Sequence, residues 1–265
     1  MTLCVDIGNT SICLGVFEQG SLRFKARLAS DCKKSADEYA VLLAGIFSMK
    51  GIDPSEISDA AMLSVVPALT HTLTRALAAF GTEPLVIGSG IKTGLNLRIE
   101  SPELLGADIV ADTVAALRLA KPPLIVLDLG TATTISVVNS AGELTGCVIA
   151  PGVKLSLEAL SEKCALLPEV PLSAPTRTVG KNTAEAINSG AVLGTTLMLD
   201  GYIERIKREN QLETLTVIAT GGLAELILPL SENEMRYEPY LTLKGLLFLS
   251  ELNRSARARR APQRF

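Results

Sequence analysis

Two short stretches carry the residue types that phosphate chemistry requires. Asp6-Ile7-Gly8-Asn9-Thr10-Ser11 sets a carboxylate, a glycine, an amide and two hydroxyls side by side, and Ile12-Cys13-Leu14 follows. Asp128-Leu129-Gly130-Thr131-Ala132-Thr133-Thr134 repeats the order of acid, glycine and hydroxyl 122 residues later. Glycine lets backbone N–H groups approach an anion, hydroxyls donate to its oxygens, and a carboxylate orders a cation or its waters. A nucleoside triphosphate with Mg²⁺ needs that set. Thr220-Gly221-Gly222 adds a third small, polar turn with room for a nucleoside. No G-x-x-x-x-G-K-[ST] occurs, which excludes a Walker P-loop, and no G-x-G-x-x-G follows a strand, which argues against a dinucleotide site. Phosphoryl transfer also needs a base near the accepting hydroxyl. Asp108, just after Gly106-Ala107 at a helix start, is the first candidate, and Asp112, one turn on, competes with it.

The elements that must hold these residues read as α/β. Apolar runs flank each acidic turn, so each turn joins two strands, and Gln19-Gly20 and Ser140-Ala141-Gly142 mark the turns into third strands. Ser35-Ala36-Asp37-Glu38 is a capping-box pattern that opens a helix with Tyr39, Leu42, Leu43, Ile46 and Phe47 on one face, and Gly51 stops it. Strands near 60–66 and 84–87 and a helix over 68–80 complete β-β-β-α-β-α-β in the first 90 residues. After the break at Pro122-Pro123 the pattern starts again. Asn182 with Glu185 opens a long helix to about Glu209, residues 214–219 form a strand, and a last helix lies near 241–252. We expect two duplicated lobes of mixed sheet flanked by helices, over residues 1–120 and 121–253, with a basic, disordered tail at 254–265.

Composition narrows the function classes. The chain has 265 residues, 48% hydrophobic and 20% charged, with mean hydropathy +0.34. No run reaches the roughly 18 uncharged apolar residues of a membrane span, and no signal peptide is legible, so a cytoplasmic protein is expected. The single histidine, His71, and five scattered cysteines without a C-x-x-C pair give little support to histidine triads or zinc sites. The cysteines' odd count and apolar neighbours suggest reduced, mostly buried thiols. Five of the 25 basic residues fall in the last twelve positions, which hold no acid. The remaining chain is acidic, 20 basic against 28 acidic groups; such a basic end could touch RNA, phosphate or an acidic partner, but nucleic acid is not the expected partner.

As an ordered set, these motifs resemble the type III pantothenate kinases of the sugar kinase–actin–acetate kinase superfamily. The set is Asp6-Ile7-Gly8-Asn9-Thr10, Ser64-Val65-Val66-Pro67, Gly106-Ala107-Asp108, Asp128-Leu129-Gly130-Thr131-Ala132-Thr133-Thr134, Pro151-Gly152, Gly180-Lys181-Asn182-Thr183 and Thr220-Gly221-Gly222. The resemblance implies two ribonuclease-H-like lobes around a nucleotide cleft, a homodimer, and transfer of phosphate from ATP to pantothenate, the first step of coenzyme A synthesis. It further implies that Asp6, Ile7, Gly8, Asn9, Thr10, Ser11, Ile12, Cys13 and Thr131 line the ATP phosphates. Asp128 would bind K⁺ or NH₄⁺, Asp108 would accept the proton, and Mg²⁺ would arrive with ATP. Gly106, Ala107, Asp108, Ile109 and Thr183 would contact pantothenate. Two positions depart from the family pattern: Ile109 stands where arginine is usual, and Ile99 where tyrosine is usual. Losing a charged hydrogen bond to a substrate carboxylate costs about 1.5–3 kcal/mol. Arg98 and Lys181 are the cations nearest in sequence. Two other readings follow from these features: a kinase for another small alcohol, and a non-catalytic nucleotide-binding regulator that uses the basic tail.

Overall fold

A computed structural model describes residues 1–260. The chain forms two compact units: residues 1–95, 101–115 and 240–260 make the first, and residues 96–100 and 116–239 the second. Among the described residues, no helix is long and apolar enough to cross a membrane.

The first unit is built on β1 (Thr2–Ile7), β2 (Ser11–Glu18), β3 (Ser21–Ala29), β4 (Asp59–Ser64) and β5 (Leu85–Val86). They lie in the order β3-β2-β1-β4-β5, with β2 antiparallel to its neighbours and β4 parallel to β1. This is the ribonuclease-H-like order. Gln19 and Gly20 both have positive φ (49° and 80°), as a two-residue turn matched to strand twist demands. β1 is buried on both faces, so its alternate residues enter two cores. Leu3, Val5 and Ile7 pack with Tyr39, Leu43 and Phe47 of α1 (Ala36–Met49) and Leu69, Leu73 and Leu77 of α2 (Pro67–Ala78). Cys4 on the opposite face packs with Ala111 and Val114 of α3 (Ala107–Leu119) and Leu243, Leu246 and Leu249 of α8 (Leu241–Arg260). Asp6 follows Cys4 by two residues and so shares the α3 and α8 face.

The second unit repeats the scheme. Its sheet runs β11-β10-β7-β8-β9-β6, built from β6 (Asn96–Leu97), β7 (Leu124–Leu129), β8 (Ala132–Val138), β9 (Glu143–Pro151), β10 (Thr216–Thr220) and β11 (Arg236–Tyr237). The series β9-β8-β7-β10-β11 has the same directions as β3-β2-β1-β4-β5, and β6 is an extra edge strand. Even the irregularities correspond: the ladder slips at Val16/Phe17 in one hairpin and at Val137/Val138 in the other. α4 (Val153–Lys163), α5 (Thr183–Asn188), α6 (Gly194–Glu209) and α7 (Ala224–Ile227) accompany this sheet. A single π turn, Ser189–Leu193, joins α5 to α6, so the expected long helix is one run with a widened turn inside it.

Residues 254–260 of the expected tail continue α8, and residues 261–265 lie outside the described residues. Two expectations are corrected. The thiols are free but not mostly buried: Cys4 is buried, Cys13 is half-buried, and Cys32, Cys147 and Cys164 are exposed. Cys147 sits on the outward phase of the alternating strand β9. Leu42 is 37% exposed rather than part of the buried α1 face.

Candidate active site

In the first unit the acidic turn is held by a small set of backbone bonds. Gly8 N–H donates to the Ser11 carbonyl at 3.0 Å, and Val65 N–H to the Ile7 carbonyl at 3.0 Å. A Cβ on Gly8 would stand 3.1 Å from the same Ser11 oxygen, so the tightness of the turn favours glycine. Asn9 and Thr10 are exposed, and Asp6, Gly8, Ser11 and Cys13 are half-buried. Ile7 and Ile12 are fully buried, so only their main chains can serve a ligand. Ser30, absent from every motif above, also reaches the turn. Its N–H donates to the Thr10 carbonyl at 3.1 Å and its Oγ to the Gly8 carbonyl at 2.6 Å. Nothing local in sequence announces it, because only the β2–β3 pairing of Ser11 with Ala29 brings residue 30 there.

The second turn is one residue shorter between paired positions: Leu129 faces Thr133, where Ile7 faces Ile12. Gly130 N–H donates to the Ala132 carbonyl at 3.1 Å, and Gly152 N–H to the Thr131 carbonyl at 3.0 Å. Thr131 is exposed, whereas Thr133 is 1% exposed and belongs to the protein interior. Asp128 is half-buried and pairs in register with Thr220 of β10. Gly221, at φ +95°, crosses Leu129 so closely that a Cβ would lie 2.5 Å from its backbone nitrogen. That crossing brings the Thr220-Gly221-Gly222 turn alongside the end of β7.

This second turn offers oxygen atoms that could hold a cation. The Asp128 carboxylate lies beside Gly130, where a Cβ would be 3.6 Å from Oδ1. The Gly130 and Thr131 carbonyls converge on the position that a Gly152 side chain would take. One carboxylate with neighbouring carbonyls is an oxygen-only set of low charge, fit for a hard cation. Among the described residues, no group of three His, Cys, Asp or Glu side chains could form a metal cage.

Asp108 lies in the first turn of α3 and is half-buried, with Oδ1 accepting from Ile109 N–H at 2.9 Å. Val110 N–H donates to the Gly106 carbonyl at 3.1 Å and starts the helix. Ala107 is half-buried, but Ile109 is only 6% exposed and packs inward beside Gly106. Asp112, one turn deeper, is 3% exposed. Asp6 and Asp108 thus belong to one unit, and α3 covers the sheet face that Asp6 shares.

Thr183, in the second unit, is the exposed first residue of α5. Asn182 caps the helix by accepting from Glu185 N–H at 2.9 Å, while Glu185 accepts from Lys181 N–H at 2.9 Å. The Lys181 N–H bond holds the Glu185 carboxyl below its ordinary range against the upward pull of burial, and Arg177 assists at 3.6 Å. Of the two expected substitute cations, Arg98 pairs with Glu143 at 3.1 Å and Lys181 is exposed.

The family model for type III pantothenate kinases matches residues 2–205, a span that holds Asp6, Asp108, Asp128 and Thr183. This chain belongs to the type III pantothenate kinase family. A type III pantothenate kinase of Geotalea daltonii is 41% identical over 257 residues, which are 97% of this chain and all of that protein. Solved structures share the fold at much lower identity. A Campylobacter jejuni protein assigned to the Baf family of transcriptional activators has a TM-score of 0.59 at 16% identity, covering 96% of this chain and 99% of that one. The 2-hydroxyisocaproyl-CoA dehydratase activator of Clostridium difficile, solved with ADPNP, has a TM-score of 0.53 at 10% identity, covering 97% of both chains.

Proposed function

We propose that this chain transfers the γ-phosphoryl group of ATP to the hydroxyl of pantothenate, with Asp108 as the base. The observation that carries the reading is the family match, which spans every residue assigned to the chemistry. Membership makes the chain a kinase of coenzyme A synthesis. The assignments of base, cation and contacts are our own.

The hydroxyl oxygen of the acceptor attacks the γ-phosphorus, the bond from that phosphorus to ADP breaks, and the hydroxyl proton passes to Asp108. Oδ1 already accepts from Ile109 N–H, which leaves Oδ2 for the proton. Proton removal of this kind is worth about 10²–10⁴-fold. The half-buried Asp108 suits the task better than Asp112, whose 3% exposure keeps it from a dissolved substrate. The Asp6–Cys13 segment and Thr131 hold the phosphates, and Mg²⁺ enters with ATP. Asp128 would hold K⁺ or NH₄⁺, which would supply positive charge there. Thr183 contacts pantothenate together with Gly106 and Ala107. Ile109 is buried and carries no charge, so the substrate carboxylate draws its cation from elsewhere, with the exposed Lys181 and Arg98 as the candidates. The enzyme works in the cytoplasm as a homodimer.

A coupled assay of ADP release tests the reading. Release should require pantothenate and rise when Na⁺ is replaced by K⁺ or NH₄⁺. No turnover at millimolar pantothenate with K⁺ present would overturn it, and preference for another alcohol would change the acceptor.

A further inference from the structure

We infer that Ser30 is a positioning residue for the ATP phosphates, acting through the orientation of two peptide groups in the β1–β2 turn. The inference rests on the proposal that this turn holds those phosphates. Ser30 is the first residue beyond β3 and makes two bonds to the turn. Its Oγ donates to the Gly8 carbonyl at 2.6 Å, and its N–H donates to the Thr10 carbonyl at 3.1 Å. A trans peptide group is planar, and its N–H points opposite to its C=O. Drawing the Gly8 carbonyl toward Ser30 therefore turns the Asn9 N–H away from Ser30. Drawing the Thr10 carbonyl the same way turns the Ser11 N–H away as well. One residue thus aims two donors of the turn in a common sense, as a backbone anion cradle requires. Gly8 has no Cβ to resist this rotation, and its own N–H is spent on the Ser11 carbonyl at 3.0 Å.

The internal duplication isolates the contribution of the hydroxyl. Position 152, 122 residues after Ser30, plays the same part in the second unit: Gly152 N–H donates to the Thr131 carbonyl at 3.0 Å. The backbone half of the device is common to both units. The side-chain half exists only in the first, because a Cβ at 152 would collide with the Gly130 and Thr131 carbonyls. The two turns share the phosphates, through Thr131 in the second, but only the second is also assigned a cation. The first must present N–H donors to phosphate, and in the second the Gly130 carbonyl, which no side chain at 152 engages, is useful to a cation. A hydroxyl that consumes a turn carbonyl belongs in the first and would hinder the second.

Steady-state kinetics of Ser30→Ala, Ser30→Thr and Asn9→Asp in the full chain test the inference. Ser30→Ala should raise the KM for ATP about five- to tenfold, the worth of one hydrogen bond. The KM for pantothenate should stay near wild type, the Tm should fall by no more than a few degrees, and Ser30→Thr, which keeps the hydroxyl, should restore ATP binding. Asn9→Asp places a charge on an exposed position of the turn and reports whether phosphates bind there at all. If Asn9→Asp raises the KM for ATP strongly while Ser30→Ala leaves it unchanged, the turn keeps its role and Ser30 loses its own. If neither change affects ATP, the phosphate assignment of the turn itself fails. If Ser30→Ala lowers the Tm and raises both KM values together, Ser30 is a scaffold residue and the inference is overturned.

Discussion

The carboxylate of Asp108 occupies the space that a Cβ on Gly106 would fill. The glycine before the helix is therefore a steric condition for where the carboxylate rests, with Oδ1 on Ile109 N–H. Gly106→Ala should push the carboxylate off that position. A displacement near 1 Å at a reacting group can cost about 10²-fold, so kcat should fall by about 10- to 100-fold. The KM for ATP should barely change. A kcat within twofold of wild type would show that the carboxylate position observed here is not the working one.

Asp108 and Asp112 separate by burial. Asp108→Asn should lower kcat about 10²–10⁴-fold with the Tm retained. Asp112→Asn alters a side chain that is 3% exposed, and its loss should appear as about 1–3 kcal/mol of stability with only a modest fall in kcat. Thermal melts and single-turnover rates on the two variants make the comparison. The opposite pattern would move the base to Asp112.

Much of this frame was legible in the sequence because it is written in local periodicity. The acidic turns, the Ser35 capping box and the Asn182 cap all appear as read, since each depends on neighbours within a few residues. The duplication was visible as Asp6 and Asp128 and extends to strand order and ladder slips. What escaped depends on distant partners. Ser30 meets Gly8 only through a hairpin, and β6 and β11 are two-residue strands defined by the sheet they join. α8 returns to the first unit because Leu243, Leu246 and Leu249 find Cys4 and Leu63 there, a match that no local pattern encodes.

Gly245 illustrates such a distant dependence and carries its own prediction. A Cβ on Gly245 would collide with the Ala111 carbonyl, so α8 packs directly on the backbone of α3. Ala111 lies three residues after Asp108 on that helix. Gly245→Ala must part the two helices, at about 1–3 kcal/mol. In a chain of this length, that is a fall of several degrees in Tm, and kcat should drop as α3 shifts. An unchanged melting curve would refute the close packing.

Asp200, at 9% exposure on α6, makes a prediction about pH. Burial pushes its carboxyl up, but hydrogen bonds from Ser231, Asn233 and the Glu232 N–H outweigh that push and hold it below its ordinary range. The distances are 2.5 Å from Ser231 Oγ, 3.0 Å from Asn233 Nδ2 and 3.1 Å from Glu232 N. They tie α6, which continues the helical run begun at Thr183, to the segment after α7. Asp200→Asn keeps the shape but turns one oxygen into an amide, so a donor must face the Glu232 N–H or the other donors. The loss at neutral pH should be about 1.5–3 kcal/mol, the worth of hydrogen bonds to a charged group. A lowered folded-state pKa stabilises fully above the unfolded value, near 3.9, and that stability disappears as pH falls through the folded value. The gap between wild type and Asp200→Asn in urea unfolding should therefore be constant from pH 7 to about pH 5 and narrow below about pH 4. A gap that stays constant down to pH 3 would mean that the charge on Asp200 contributes nothing to holding α6.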